Sequence, residues 1–232
     1  MDISGVVLAG GKGRRFNGDK INLSIGKVPM YLNQVFKLSL LTRDIVISTS
    51  QKNVKKVSQQ VSRIKEYKNS YFQDFNLPEL RVIKDENLLK VKRGIGPIGG
   101  VYSGIKESKY FYSLIIAMDM PLVSYKVLRM LICNISYGYD AVIIRRVKGL
   151  EVLCGIYSKN CLEAIKKNID SGIFKISEIF KNINVKYIDG NLLEELNFLN
   201  INTELDFKKF RELWDNLPYD DFSSKWKNLF YR

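Results

Sequence analysis

One short segment near the start of the chain concentrates residues suited to holding a polyanion: Leu8-Ala9-Gly10-Gly11-Lys12-Gly13-Arg14-Arg15-Phe16-Asn17-Gly18-Asp19-Lys20. Four glycines and four cations fall within residues 10–20. Glycine lets the backbone turn sharply and lie close to a ligand. Successive backbone N–H groups in such a loop form a concave anion site, and Lys or Arg add charge to it. The chemistry this suits is polyphosphate binding, with Lys20 and Arg15 as candidate catalytic cations. Two familiar phosphate loops do not fit. A G-x-x-x-x-G-K-[ST] loop fails because Asp19 precedes Lys20 and Ile21 stands where a hydroxyl would hold metal. The G-x-G-x-x-G fingerprint fails because Phe16 occupies its third glycine.

Further along, Asp119 closes the apolar run Leu114–Met118. A carboxylate there would face a ligand crevice and could hold Mg2+ beside phosphates. The competing reading, a helix N-cap, is taken by Ser124, which directly precedes the next helical segment. Asp85 ends a shorter run, Arg81–Lys84, where it could accept hydrogen bonds from guanine N–H groups or a ribose hydroxyl; a loop cap is the alternative. Gly94-Ile95-Gly96-Pro97-Ile98-Gly99-Gly100 is a second glycine-rich turn leading into a helix. It would admit a flat base or a phosphate near the helix N-terminus. Asn200 and Asn202 alternate with apolar neighbours, so both are expected on one side as ligand contacts or amides around a metal. Thr203 and Asp206 are spaced nearly as a capping box. The chain has 0 histidines. No imidazole base or metal ligand exists, and a divalent ion must rely on oxygen donors, as Mg2+ does.

The elements that must position these residues alternate regularly. Ile3–Ala9, Ile45–Ile47, Arg81–Lys84, Tyr112–Met118, Ala141–Arg145, Val152–Tyr157 and Val185–Ile188 read as strands. Pro29–Leu41, Asn53–Ile64, Ile98–Lys109, Tyr125–Ile135, Asn160–Ile169, Phe174–Lys181 and Thr203–Trp214 read as helices. This rhythm predicts a three-layer α/β/α fold around a mostly parallel twisted sheet. Ligands in such sheets bind beyond the carboxyl ends of the strands, where the loops after Ala9, Lys84 and Met118 all lie. Residues 1–216 form the expected single domain. The tail 217–232 carries Phe222, Trp226 and Phe230 at the spacing of one amphipathic face, docked on the domain or used in an oligomer contact.

The 232 residues, 46% of them hydrophobic, suffice for one large core. No apolar run is long enough to span a membrane, and the N-terminus lacks the pattern of a signal peptide. The 3 cysteines, Cys133, Cys154 and Cys161, lack a C-x-x-C spacing and read as reduced core thiols of a cytoplasmic protein. The net charge of +13 is spread along the chain rather than clustered. No helix-turn-helix, zinc-finger or aromatic RNA-binding pattern accompanies it, which argues against nucleic acid as the primary partner.

The N-terminal motif resembles the signature of guanylyl-, cytidylyl- and sugar-nucleotidyltransferases. With G-P-I-G-G (96–100), A-M-D-M-P (117–121), L-C-G-I-Y (153–157) and L-N-I-N-T (199–203), the chain resembles the molybdenum cofactor guanylyltransferases up to Phe210. The resemblance implies a Rossmann-like nucleotidyltransferase fold, Mg2+ dependence, and transfer of GMP from GTP to molybdopterin. It implies that Leu8, Ala9, Gly10, Gly11 and Gly13 line the nucleotide site. By the same carry-over, Lys20 contacts phosphates, and Asp85 with Gly96 to Gly100 contacts guanosine. Asp119 binds Mg2+, and Asn200 and Asn202 lie toward molybdopterin or the metal. Molybdoenzyme chaperones or cofactor-delivery proteins are implied partners, and either a monomer or a homo-oligomer is compatible. The chain departs from the family pattern at Ser48-Thr49-Ser50-Gln51, which lacks an asparagine and an arginine, at Val152 in place of proline, and at Lys175 in place of arginine. The other readings are a nucleotidyltransferase using CTP or a sugar or alcohol phosphate, and a non-enzymatic GTP-binding or basic nucleic-acid-binding module.

Overall fold

The apolar runs and periodic segments fold as alternating strands and helices in a computed structural model that describes residues 1–10, 19–71, 77–85, 95–217 and 222–231. In chain order they are β1 (Ile3–Leu8), β2 (Ser24–Ile25), β3 (Val28–Pro29), α1 (Met30–Ser39), β4 (Asp44–Thr49), α2 (Val54–Ser62) and α3 (Ile64–Tyr71). Then come β5 (Glu79–Lys84), α4 (Pro97–Glu107), β6 (Tyr112–Ala117), α5 (Tyr125–Cys133), β7 (Ala141–Arg146) and β8 (Gly149–Ser158). The last elements are α6 (Cys161–Asp170), β9 (Val185–Asp189), α7 (Glu204–Asp215) and α8 (Phe222–Tyr231).

Seven strands form one sheet in the order β5-β4-β1-β6-β8-β7-β9. β8 runs antiparallel to β6 and β7, and the remaining pairs are parallel. The expected mostly parallel α/β sheet is what is observed. Alternation along each strand sorts side chains to two cores. Ile3, Val7, Ile45, Ile47, Leu114 and Ile116 pack on one face with residues of α1, α5, α7 and α8. Val6, Leu8, Val46 and Ile115 pack on the other with α4 and α6. Successive strand residues point to opposite faces, so a sheet covered on both sides needs these unbroken apolar runs. Gly104 lets α4 lie close on β1: a Cβ there would stand 2.4 Å from Cγ1 of Val6.

The chain order of strands reverses direction at β1. From β1 the chain builds outward through β4 to β5, then crosses to β6 on the other side. The crevice beyond the carboxyl ends of β1 and β6 is therefore the place where an open α/β sheet receives ligands.

Some local expectations are corrected. The helix read across Asn53–Ile64 is α2, Val54–Ser62, and after a break at Arg63 the chain continues in α3, Ile64–Tyr71, which is not among the expected helices. Residues Ile176–Lys181 form a 3-10 turn rather than an α-helix. The β2–β3 hairpin, turning at Gly26 with φ 57°, was not legible as strand. Cys154 and Cys161 are buried thiols, but Cys133 is exposed at the end of α5, so it is not a core residue. In α8, Trp226 and Phe230 are buried in the same core as Phe210. Among the described residues, no helix is long and apolar enough to cross a membrane.

At the amino ends of the strands, Asp44 ties several elements together. It accepts hydrogen bonds from Ser4 Oγ at 2.5 Å, Arg81 Nη2 at 2.5 Å and the Lys109 amide at 2.9 Å.

Candidate active site

The carboxyl ends of four strands meet through hydrogen bonds that continue the sheet past its regular register. The Ala9 amide donates to the Ser48 carbonyl at 2.8 Å, Asp85 to Thr49 at 2.8 Å, and Met118 to Leu8 at 3.1 Å. Thr49 Oγ1 donates to the Ala9 carbonyl at 2.8 Å. These bonds fix the start of the glycine-rich loop beside the two carboxylates picked out in the sequence.

Lys20 leaves that loop on a 3-10 turn, Lys20–Asn22. Its Nζ donates to Asp119 Oδ2 at 3.0 Å and to Asn202 Oδ1 at 2.8 Å. The three residues come from widely separated segments, and backbone bonds hold them together. The Ile201 amide donates to the Asp119 carbonyl at 2.8 Å, so the segment carrying Asn202 lies along the end of β6. Asp206 Oδ2 accepts from the Asn202 and Thr203 amides, and Thr203 Oγ1 accepts from Asp206 N: the capping box of α7. Asn200 is not brought to Lys20. Its side chain donates to the Phe198 carbonyl at 3.2 Å. The chain leaves the Glu195–Phe198 turn at Leu199, and of the two asparagines beyond it the structure places Asn202 on Lys20 and Asn200 back on the Phe198 carbonyl.

Asp119 Oδ1 is buried and has no hydrogen-bond partner among the described residues. An ionised oxygen buried without a partner is costly, so a cation opposite it is the natural completion. Among the described residues no cluster of three or more His, Cys, Asp or Glu is present. One carboxylate plus phosphate and water oxygens is how Mg2+ is commonly bound. The donor set is one that Mg2+ accepts, and Asp119 is the carboxylate that would hold it.

Asp85 lies at the other wall of the crevice. Its Oδ1 accepts from Ser48 Oγ at 2.6 Å. Burial raises the Asp85 carboxyl above the usual carboxylate range, and the Ser48 hydrogen bond offsets part of that. Gly10 and Gly100 frame it. A Cβ on Gly10 would stand 2.8 Å from Asp85 Oδ2, and one on Gly100 3.4 Å from Asp85 Oδ1 and 3.3 Å from Leu8 Cδ2. Gly96 has φ 77°, a conformation that favours glycine, and turns the chain into α4 at Pro97. The N-terminal turn of α4 thus opens toward the crevice beside Asp85.

Gly11, Gly13 and Arg15 lie outside the described residues. Asp19, beside Lys20, takes part in a contact the sequence did not signal. Its Oδ2 pairs with Lys52 Nζ at 2.6 Å and accepts from Asn53 Nδ2 at 3.2 Å. Burial alone would raise its carboxyl, but Lys52 and Asn53 outweigh burial and hold it below the usual range. Ser48 and Thr49 are likewise site-shaping residues without a motif. Their only sequence cue is a pair of hydroxyls at the end of an apolar strand.

An anion at this crevice would meet the backbone at Gly10, one buried cation and one partly buried carboxylate. The model of the MobA-like NTP transferase domain matches residues 5–184 of the chain. The chain belongs to the MobA-like NTP transferase family. A relative in Thermococcus gammatolerans, named "Probable molybdenum cofactor guanylyltransferase", is 30% identical over 215 residues, covering 90% of this chain and 98% of that one. One in Pelotomaculum thermopropionicum with the same name is 26% identical over 221 residues, covering 93% and 95%. The crystal structure of molybdopterin-guanine dinucleotide biosynthesis protein A from Archaeoglobus fulgidus shares the fold, with a TM-score of 0.71 at 24% identity, over 93% of this chain and 100% of that one. This MobA-like chain is a nucleotidyltransferase, and its candidate site sits where such a fold binds its ligands.

Proposed function

We propose that this enzyme transfers GMP from GTP to the terminal phosphate of molybdopterin, releasing pyrophosphate. The observation that carries the reading is the meeting of Lys20, Asp119 and Asn202 at the carboxyl ends of β1 and β6 in a chain of this family. The relatives' names, molybdenum cofactor guanylyltransferase, supply the guanylyl group and its acceptor.

A phosphate oxygen of molybdopterin attacks the α-phosphorus of GTP. The new P–O bond forms as the bond from the α-phosphorus to the β-phosphate bridge breaks, and pyrophosphate leaves. The nucleophile is already an anion, so no Ser, Cys or His nucleophile is required. This agrees with a chain that has 0 histidines. Catalysis then rests on positioning and on charge neutralisation. Bound at Asp119, Mg2+ would neutralise phosphate charge and orient the oxygens. Lys20, an ammonium with three donors, spends two on Asp119 and Asn202 and, among the described residues, keeps one for a phosphate oxygen. Its fixed position means little reorganisation is needed as charge develops on the leaving group. Asp85 is an acceptor at the base end, matched to the adjacent N1–H and N2–H2 donors of guanine.

The direct test is thermal stabilisation of the protein by GTP, CTP, ATP and UTP, each with and without Mg2+. A ligand that binds only the folded state raises stability by RT ln(1 + [L]/Kd). The reading expects the largest shift with GTP, enhanced by Mg2+. A shift selective for CTP would retain nucleotidyl transfer and reject guanylyl transfer.

A further inference from the structure

Helix α1 carries three polar side chains in a wholly buried setting, none of them in the motifs; Asn33 bonds back to the Pro29 carbonyl, whereas Gln34 and Lys37 reach beyond the helix. Gln34 and Lys37 lie one turn apart on the same face, and their side chains are 0% and 2% exposed as residues. Both reach the loop that directly follows Asp119. Gln34 Nε2 donates to the Met120 carbonyl at 2.8 Å. Lys37 Nζ donates to the Pro121 carbonyl at 2.5 Å and the Val123 carbonyl at 3.0 Å. The loop has only weak backbone bonds of its own, Met120 to Ala117 and Val123 to Met120, each at 3.4 Å. Three of its carbonyls are therefore held from outside, by one helix.

A lysine in an apolar core is expensive to desolvate. Lys37 is walled by Ile25, Pro121, Phe210, Trp214, Trp226 and Phe230. The Phe230 ring of α8 stands 5.5 Å from its Nζ, a cation–π distance. A methionine or leucine would fill the same space without this penalty. Retaining the donor there makes sense if the loop's carbonyls need a fixed partner. The same loop begins with the carboxylate whose second oxygen waits, buried, for a cation.

We propose that Lys37 and Gln34 are positioning residues that fix the Asp119 carboxylate for its metal, with α8 acting as the cover that keeps Lys37 dry. The inference rests on the assignment of Asp119 to Mg2+ under the proposed function. Neither side chain touches substrate. They act through the backbone of residues 120–123, as supports behind a metal ligand do elsewhere, where their loss costs roughly 10–100-fold in metal affinity or activity.

The experiment uses the full chain, GTP and Mn2+ as a paramagnetic stand-in for Mg2+. Free Mn2+ is read by EPR in titrations of wild type, Lys37→Met and Gln34→Met, at a temperature well below each variant's Tm. Steady-state rates with GTP and saturating molybdopterin are taken on the same variants. The proposal expects Mn2+ affinity in the GTP complex to fall about tenfold or more. It also expects kcat to fall with it while the KM for GTP changes little, since the glycine-rich loop is untouched. Unchanged Mn2+ affinity and kcat, with only a lower Tm, would overturn it and leave the guanylyl-transfer reading intact. Wild type that binds no Mn2+ with GTP would instead reject the metal assignment itself. If Lys37→Met does not fold, Gln34→Met carries the test, because it removes a single neutral donor at nearly constant volume.

Discussion

Lys20 Nζ stands 3.0 Å from Asp119 Oδ2 across 99 residues of sequence, and the two form a partly buried ion pair at the mouth of the crevice. The relationship joins the two motifs most suited to phosphate chemistry. It also means that each charge sets the other's position before any ligand arrives. Replacing Lys20 by Ala removes one fixed cation from the developing leaving group. By analogy with loss of one preorganised donor, that costs about 2.7–4 kcal/mol in the transition state. Turnover should fall about a hundredfold or more. Steady-state pyrophosphate release at saturating GTP, molybdopterin and Mg2+ measures it, and near wild-type turnover would remove Lys20 from the chemistry.

Gly10 has no room for a side chain. A Cβ there would press on Asp85 Oδ2, and Ser48 holds the other oxygen in place. Gly10→Ala should displace Asp85 and weaken GTP by about tenfold, roughly 1.4 kcal/mol. The Tm without nucleotide should change far less than the calorimetric Kd. Gly100→Ala meets Leu8 at 3.3 Å, an easier contact, and should cost less.

Burial pushes the Lys37 ammonium down to about 7, with a small opposing effect from Cys154. In the unfolded chain a lysine titrates near 10.4. Between these values the unfolded state holds one more proton than the folded state, so this residue makes stability rise with pH. The slope is up to about 1.4 kcal/mol per pH unit. Denaturant melts of wild type and Lys37→Met from pH 7 to 10 should show wild type gaining on the variant. A constant difference across that range would place the Lys37 charge elsewhere.

Asp44 offers the opposite sign. Burial would raise its carboxyl, but Ser4, the Lys109 amide and Arg81 outweigh burial and hold it below the usual range. Its contribution is complete above the ordinary carboxylate value near 4 and is lost as pH falls through the depressed folded value. Asp44→Asn should destabilise by roughly 3 kcal/mol, the low end for breaking a buried pair, because Arg81 can still reach water. Its acid unfolding curve should be flatter than that of wild type below pH 4.

The sequence displayed the fold well because a sheet buried on both faces demands runs such as Ile3–Leu8 and Leu114–Met118, which stand out against amphipathic helices. It displayed the crevice because three motifs follow three such runs. It did not display which motif residues touch. The Lys20–Asn202 contact depends on the Ile201 amide bonding to Asp119, a pairing without a sequence period. Asn200 and Asn202 read as equivalent by their spacing, but Asn202 bonds Lys20 while Asn200 bonds the Phe198 carbonyl, a difference of local partner that spacing does not carry. Lys37 had a faint signal, a cation inside the apolar stripe of Val35, Phe36 and Leu38, but its partners lie more than 80 residues away as backbone carbonyls. Backbone acceptors leave no mark in composition.

The most direct measurement is product analysis after incubating the protein with molybdopterin, Mg2+ and either GTP or CTP. The account predicts molybdopterin guanine dinucleotide and one pyrophosphate per dinucleotide with GTP, and little product with CTP. A cytosine dinucleotide, or no nucleotide transfer from GTP under conditions where GTP stabilises the protein, would contradict it.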